Sequence, residues 1–316
     1  MIDLKTVFLF PGQGSQKVGM VKDLYEKYDS VKALIQEADE ALGFSISQMM
    51  FEGPDTELMK TEFTQPAILT ASVACWKVLG EHGVAPEAAA GHSLGEYSAL
   101  VAAGALSFAD AVTTVHLRGK FMQEAVPLGE GGMAAVIGLA PEAIVDVCAK
   151  VSETAGPVQA VNFNCPGQTV IAGATRAVEA ACTALKEAGA KRAIMLKVSA
   201  PFHSTLMEPA AARLKEVLDK IDIHDAAIPV IANVNAKEET KADEIRDNLI
   251  MQAAHPVHWE ESVRHMIAEG YDTYVEAGPG TVLSGFMRKI DRAQTSMHAE
   301  DIATVEDVVN KIKGEN

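Results

Sequence analysis

A single pentapeptide, Gly91-His92-Ser93-Leu94-Gly95, narrows the possible folds of this chain more than any other segment. It lies between a short run predicted as a buried strand, Glu87–Ala90, and a run with helical character, Leu94–Ala103. A G-x-S-x-G sequence between a strand and a helix is typical of a nucleophile elbow, a sharp turn that lifts the serine hydroxyl clear of a sheet. The helix N-terminus behind the turn favours negative charge that develops at this oxygen. The pentapeptide therefore predicts an α/β fold with Ser93 as the candidate nucleophile.

The chain around this motif alternates between short apolar runs and longer runs with helical spacing. The predicted strands outside residues 129–198 are Thr6–Phe10, Glu87–Ala90, Pro229–Asn233 and Tyr271–Glu276. The main predicted helices are Leu24–Leu42, Ala67–His82, Leu94–Ala103, Phe108–Val126, Thr205–Ile221, Ala242–Ala254 and Glu260–Glu269. Strands that alternate with helices predict a mostly parallel sheet covered on both faces, as in the hydrolase-like α/β folds.

Residues 129–198 follow a different pattern, which begins after a Gly-rich break at residues 127–132. Their predicted elements are the strand Met133–Leu139, the helix Pro141–Ser152, the strands Val158–Phe163 and Gln168–Ala172, the helix Ala177–Ala188 and the strand Arg192–Val198. The order β-α-β-β-α-β is typical of a ferredoxin-like unit. We therefore predict a large α/β catalytic domain of residues 1–128 and 199–316, interrupted by a ferredoxin-like insert of residues 129–198.

Charge and composition exclude several classes of function. The chain has 27 Lys and Arg against 43 Asp and Glu, a net charge of −16, which argues against binding to nucleic acid or to an anionic membrane. No apolar run approaches the roughly 20 residues that a membrane-spanning helix needs. The 4 cysteines form no CxxC pair and are expected to be buried thiols in a reducing compartment. These features predict a soluble, cytoplasmic protein.

A nucleophilic serine needs a base, and the sequence offers 9 histidines. His203 follows Ser199-Ala200-Pro201-Phe202, where the chain leaves the predicted insert and re-enters the large domain, and clefts form at such junctions. His255 and His258, which flank Pro256, remain alternatives. The sequence indicates no acidic third member, but a backbone carbonyl or a side-chain amide can also hold the imidazole tautomer.

Two further segments are candidates for the same site. Gly12-Gln13-Gly14 follows the first predicted strand, but its spacing fits neither a dinucleotide-binding fingerprint nor a P-loop. It either supplies a backbone N–H to an oxyanion beside Ser93 or is an ordinary loop. Arg118 lies among apolar residues of a predicted helix, where an arginine either forms a structural salt bridge or binds an anionic ligand.

Taken together, several separated motifs resemble those of the malonyl-CoA:acyl-carrier-protein transacylases, the acyltransferases of type II fatty-acid synthesis. The resemblance covers nearly the whole chain. The motifs are Phe10-Pro11-Gly12-Gln13-Gly14-Ser15-Gln16, Thr64-Gln65-Pro66-Ala67, Gly91-His92-Ser93-Leu94-Gly95-Glu96-Tyr97, Arg118-Gly119, Phe202-His203-Ser204, Gln252 ahead of Pro256-Val257, and Glu276-Ala277-Gly278-Pro279-Gly280.

The resemblance implies a Ser93–His203 dyad, with the backbone carbonyl near Gln252 orienting His203. It further implies an oxyanion hole formed by the backbone N–H groups of Gln13 and Leu94, and no metal or cofactor. The substrates would be malonyl-CoA and acyl carrier protein.

On the same resemblance, Arg118 would bind the free carboxylate of the malonyl group, and Gln252 and Phe202 would be the other substrate-binding residues. Phe202 would leave little room for an α-methyl group and would disfavour methylmalonyl substrates. Both expectations concern selection of the acyl group.

Three other functions remain as alternatives at this point. They are transfer of another acyl group from CoA in polyketide-type synthesis, hydrolysis by a serine esterase or thioesterase, and non-enzymatic binding of a carrier protein. Because carrier proteins are acidic, docking would need a local basic patch. The candidate patches are Lys191, Arg192 and Lys197 in the insert, and Arg288, Lys289 and Arg292 near the C-terminus.

Overall fold

A computed structural model describes residues 5–198 and 200–314 of the chain. Ser199, at which the predicted large domain resumes, lies outside the described residues, as do the first four and last two residues of that domain. The strands, in chain order, are β1 (Thr6–Phe10), β2 (Ala88–Gly91), β3 (Gly131–Ile137), β4 (Val158–Cys165), β5 (Gln168–Ala174), β6 (Arg192–Met195), β7 (Val230–Ile231), β8 (Glu238–Glu239), β9 (Thr273–Ala277) and β10 (Thr295–Ala299). The helices are α1 (Lys22–Lys27), α2 (Asp29–Leu42), α3 (Ile46–Glu52), α4 (Asp55–Leu58), α5 (Thr61–Glu81), α6 (Gly95–Ala102), α7 (Phe108–Glu124), α8 (Pro141–Ala155), α9 (Thr175–Glu187), α10 (Glu208–Leu218), α11 (Ala242–Gln252), α12 (Trp259–Ala268), α13 (Val282–Ile290) and α14 (Ile302–Lys313).

The larger sheet has the strand order β10-β9-β1-β2-β7-β8 and is parallel except for β8, which pairs antiparallel with β7. Strand β1 lies near its centre and is buried along its whole length. Phe8 and Phe10 join the core on one face, whereas Val7 and Leu9 join the core that includes Trp259 of α12 on the other face. The expected parallel sheet with two covered faces is thus confirmed.

The smaller sheet is antiparallel and has the order β4-β5-β3-β6. Helices α8 and α9 cover one face, where Ile144 and Leu185 share a core with Val136 of β3. Met133 and Val170 belong instead to the main core of the larger sheet. The ferredoxin-like topology is therefore as expected, and its open face meets the rest of the molecule.

The sequence pattern was wrong about several helix boundaries. The single helix predicted over Leu24–Leu42 is two helices, because Tyr28 between them has an extended backbone (φ −110°, ψ 121°). Helix α5 begins at Thr61 and contains Pro66 in its second turn, although proline cannot donate to the carbonyl four residues earlier. That carbonyl, of Glu62, accepts instead a hydrogen bond from Nδ1 of His116 at 2.8 Å.

Two findings bear on the surroundings of the protein. The four cysteines are buried free thiols, as expected. Among the described residues, no helix is both long enough and apolar enough to cross a membrane.

Candidate active site

The pentapeptide forms a tight turn between β2 and α6. Ser93 at its apex has φ +54°, in the left-handed region that non-glycine residues rarely adopt. A Cβ on Gly91 would lie 1.9 Å from the carbonyl carbon of Gly95, and one on Gly95 would lie 2.1 Å from the carbonyl oxygen of Phe10. Both flanking positions therefore require glycine, which gives the G-x-S-x-G spacing its physical basis.

The strained turn is held by Asn233, which follows β7. Its Oδ1 accepts a hydrogen bond from the Ser93 amide at 2.7 Å, and its Nδ2 donates to the Gly91 carbonyl at 2.7 Å. A left-handed serine persists only where the surroundings fix it. Asn233 provides this restraint from the neighbouring strand of the sheet.

Ser93 and His203 meet in the structure. Nε2 of His203 lies 2.7 Å from Oγ of Ser93, and Nδ1 donates to the backbone carbonyl of Gln252 at 2.8 Å. Because a carbonyl only accepts, Nδ1 carries the proton in the neutral ring and Nε2 is free to accept the serine proton. Burial, reinforced by the positive charge of Arg118, lowers the pKa of His203 to about 3. The imidazole is therefore neutral at pH 7, as a general base must be.

Arg118, on α7, is a buried cation directly beside the serine. Its Nη2 donates to Oγ of Ser93 at 3.1 Å and to Oε1 of Gln252 at 2.9 Å, and its Nη1 donates to Oε1 of Gln65 at 2.8 Å. All three acceptors are uncharged, and Nε has no partner among the described residues. The salt bridge considered from the sequence is not formed within the described part of the chain, so this cation can accept an anionic ligand.

The backbone N–H groups of Gln13 and Leu94 lie in segments that line the same cleft as Ser93. Within residues 5–198 and 200–314, neither amide donates a hydrogen bond to a protein acceptor. Leu94 N–H belongs to the peptide that directly follows the serine, at the start of α6. Both amides are therefore free to bind an oxyanion that forms at the acyl carbon.

The cleft lies between the two sheets. Phe202, beside the histidine, lines it and is 8% exposed. Its lining residues are Gln13, Gln65, His92, Ser93, Leu94, Arg118, Met122, Met133, Asn162, Val170, Leu196, Val198, Phe202 and His203. The insert thus supplies one wall of the site.

The structure does not bring the alternative histidines to the serine. Nδ1 of His255 bonds the carbonyl of Met251 at 2.8 Å in an exposed position. His258 stacks on Phe163 with ring centroids 5.5 Å apart. Neither ring lines the cleft.

Sequence reasoning assigned no role to Asn233 or Glu96, although both are hydrogen-bonded to residues that build the site. Glu96 is 0% exposed, and its Oε2 accepts from the backbone amide of Asn233 at 2.8 Å and from Nε2 of Gln252 at 3.0 Å. It is the only charged residue in the otherwise apolar and small-residue helix α6. The isolated charge in this helix was the feature of the sequence that could have identified Glu96 as a residue with a specific role.

These features define a class of protein: an α/β fold with a histidine-paired serine on a nucleophile elbow, as in serine-dependent acyl-transfer enzymes. Comparison with known proteins narrows the class. The model of the acyl transferase domain family matches residues 7–313. A curated relative from Bacillus subtilis, named malonyl CoA-acyl carrier protein transacylase, is 53% identical over 312 residues, which cover 99% of this chain and 98% of the relative.

Solved structures agree with this match. The malonyl CoA-acyl carrier protein transacylase of Coxiella burnetii superposes with a TM-score of 0.95 at 40% identity, covering 98% of each chain. A malonyl-transacylase solved in complex with a type II polyketide-synthase acyl-carrier protein gives a TM-score of 0.94 at 45% identity, covering 97% of this chain and 99% of that one. The chain therefore belongs to the malonyl CoA-acyl carrier protein transacylase family, and the resemblance seen in its sequence is confirmed.

Proposed function

We propose that this enzyme transfers a malonyl group from coenzyme A to the phosphopantetheine thiol of an acyl carrier protein, through a malonyl ester on Ser93. In addition to the family membership, one feature of the site geometry supports this proposal. Oγ of Ser93 lies both 2.7 Å from a neutral imidazole and 3.1 Å from a buried guanidinium whose hydrogen bonds end on uncharged oxygens. A nucleophile, a base and a cation whose hydrogen bonds leave it without a carboxylate partner are the groups that a carboxylated thioester requires.

In the first half-reaction, Oγ of Ser93 attacks the carbonyl carbon of the malonyl thioester, and its proton passes to Nε2 of His203. The N–H groups of Gln13 and Leu94 stabilise the tetrahedral oxyanion. The C–S bond then breaks, and the coenzyme A sulfur takes the proton from His203 and leaves as a thiol. The malonyl ester of Ser93 remains.

In the second half-reaction, the carrier thiol gives its proton to Nε2 of His203 as its sulfur attacks the ester carbon. The same two amides stabilise the second oxyanion. The ester C–O bond breaks, and His203 returns the proton to Oγ of Ser93. The reaction is therefore a ping-pong exchange in which the carbonyl of Gln252 holds the histidine tautomer throughout.

Arg118 distinguishes this function from that of a general esterase. A malonyl group on Ser93 carries a free carboxylate two bonds beyond the ester carbon, and the planar guanidinium can bind it with two hydrogen bonds. An esterase for uncharged acyl groups has no use for a buried cation here. The phenyl ring of Phe202, in the same cleft, disfavours acyl groups with an α-methyl substituent.

Docking of an acidic carrier protein is proposed at the exposed cluster Arg288, Lys289 and Arg292. These side chains line one shallow surface depression, and Nζ of Lys289 bonds Oε1 of Gln168 in the insert at 3.2 Å. The cluster therefore lies where the two parts of the molecule adjoin. Lys191, Arg192 and Lys197 of the insert are also exposed and form the second candidate surface.

A cytoplasmic location is proposed together with this function. Its support is the set of four buried free thiols, which suit a reducing compartment.

The test is a transfer assay with radiolabelled malonyl-CoA and a carrier protein that bears its phosphopantetheine. The expected result is label on the carrier, lost in Ser93→Ala and in a carrier without the prosthetic thiol. Free malonate as the main product would instead indicate a thioesterase and contradict the proposal.

A further inference from the structure

Glu96 is a buried carboxylate that the reaction steps above do not use. It lies at the start of α6, three residues after the nucleophile, and is fully shielded from solvent. An ionisable group in such a position is costly unless it is hydrogen-bonded. Its Oε2 accepts two hydrogen bonds, whereas its Oε1 has no partner among the described residues.

Both of its donors also hold the backbone of Ser93. Asn233, whose amide donates to Glu96, accepts from the Ser93 N–H through Oδ1 at 2.7 Å. Gln252, whose Nε2 donates to Glu96, uses the same Nε2 to donate to the Ser93 carbonyl at 2.9 Å. Glu96 is thus hydrogen-bonded to both Asn233 and Gln252, which fix the peptide groups before and after Ser93.

The second of these peptide groups matters most for the chemistry. It joins the Ser93 carbonyl to the Leu94 nitrogen, and a peptide group is planar. A hydrogen bond that fixes the carbonyl therefore also fixes the direction of Leu94 N–H, the proposed oxyanion donor. Hydrogen bonds in such a chain polarise one another, so a carbonyl that accepts makes its own N–H a better donor.

We propose that Glu96 is a positioning residue for the oxyanion hole, acting through the chain from its Oε2 to Nε2 of Gln252, to the Ser93 carbonyl and on to Leu94 N–H. The inference rests on the proposed function and adds to it a role for a side chain that does not itself contact Ser93, although the backbone N–H of Glu96 also donates to the Ser93 carbonyl at 3.1 Å. This role requires a hydrogen-bond acceptor at the position of Oε2 and does not require a negative charge. Burial, which raises the pKa of Glu96 to about 7, is consistent with this, because the protonated acid keeps one oxygen free to accept.

Three substitutions at this position separate an acceptor role from a charge role. Glu96→Gln retains an acceptor oxygen at the same reach, Glu96→Asp retains the charge but withdraws the oxygen by one methylene, and Glu96→Met removes the acceptor at similar volume. The matched controls are Glu239→Gln and Glu239→Met. Glu239 is also 0% exposed, and its Oε2 accepts from Asn248 and not from Gln252.

The experiment measures acylation of Ser93 by rapid quench with malonyl-CoA and with acetyl-CoA, normalised to folded enzyme by thermal unfolding. Loss of a complete oxyanion donor lowers rates by about 10²- to 10³-fold, so a misdirected donor should cost roughly 10- to 100-fold. We expect that loss in Glu96→Met and Glu96→Asp, equally for both thioesters and with KM nearly unchanged. Glu96→Gln should stay within about threefold of wild type, as should both Glu239 variants.

The outcomes are decisive in either direction. A folded Glu96→Met enzyme that acylates at the wild-type rate overturns the proposal, and so does an equal loss in Glu239→Met. If Glu96→Met does not fold, the order of the other two variants decides, because Glu96→Asp faster than Glu96→Gln would indicate a charge role. Failure of the wild type to acylate with malonyl-CoA is a separate result, which would contradict the proposed function itself.

Discussion

Replacement of Arg118 by methionine should abolish the preference for a carboxylated acyl group without removing the nucleophile. Methionine fills similar volume but offers neither the charge nor the N–H donors. The malonyl carboxylate would then lie without a positively charged partner. The site is shielded from water, since Arg118 itself is only 1% exposed in the free enzyme. Breaking a buried charge pair by removal of one member costs about 3–5 kcal/mol.

That cost converts directly into a rate. At 1.36 kcal/mol per factor of ten, kcat/KM for malonyl-CoA should fall roughly 150- to 5,000-fold. Acetyl-CoA has no carboxylate, so its transfer loses the 3.1 Å hydrogen bond from Nη2 to Oγ of Ser93 and the hydrogen bond that Nη2 gives to Gln252, but no charge pair with the substrate. A hydrogen bond that involves a charged group is worth about 1.5–3 kcal/mol, so acetyl transfer should fall roughly 10- to 150-fold, and malonyl transfer should fall by a larger factor because it also loses the partner of its carboxylate.

The assay compares kcat/KM for the two thioesters in wild type, Arg118→Met and Arg118→Lys. Lysine keeps the charge but cannot bond Gln65, Ser93 and Gln252 from one planar group. The kcat/KM of Arg118→Lys for malonyl-CoA should therefore lie between those of wild type and Arg118→Met. Because the substitution leaves Oε1 of Gln65 and of Gln252 without a donor, thermal unfolding must show that the variants are folded. Equal losses for malonyl-CoA and acetyl-CoA would refute the assignment of the carboxylate site.

Further predictions concern the cleft, the base and the elbow. Phe202→Ala should lower the preference for malonyl-CoA over methylmalonyl-CoA by about 10-fold or more, since one methyl group in a pocket is worth roughly 10- to 200-fold; an unchanged ratio of kcat/KM values would contradict this. His203 has a pKa of about 3 in the folded state, below its ordinary value, so the unfolded chain binds the extra proton and stability is lost as the pH falls below about 6.5. Between pH 7 and 5 this site should cost wild type about 2 kcal/mol relative to His203→Gln in urea unfolding, and parallel curves would argue against a buried neutral ring. Gly95→Ala, whose Cβ would lie 2.1 Å from the Phe10 carbonyl oxygen, should destabilise the fold by more than about 1–3 kcal/mol, seen as a lowered Tm, and a wild-type Tm would contradict the packing of the elbow.

Local patterns in the sequence predicted most of the framework. The alternation of apolar runs and helices indicated both sheets, and the spacing of two glycines about Ser93 indicated the elbow, because those signals come from neighbouring residues. Helices α3 and α4 and the short strands β8 and β10 were not predicted. Strand β8 has only two residues, too few to show the alternation of a strand, and β10 is an edge strand that, among the described residues, pairs only with β9.

The parts of the site that the sequence could not reveal depend on contacts over long separations. Asn233 bonds the Ser93 amide across 140 positions, and Gln252 reaches Glu96 across 156. Residue types such as Asn and Gln give no local signal of such contacts. Glu96 was visible as an isolated charge in an apolar helix, but only the folded structure shows which donors it serves.

In the proposed reaction, Ser93 carries the malonyl group between two thiols. This covalent step can be observed by mass spectrometry of enzyme mixed with malonyl-CoA and quenched in acid. We expect a mass increase of one malonyl group, mapped to the peptide that contains Ser93, and its disappearance when a carrier protein bearing its thiol is added. An unmodified Ser93 peptide in an enzyme that still transfers malonyl groups would rule out the serine ester.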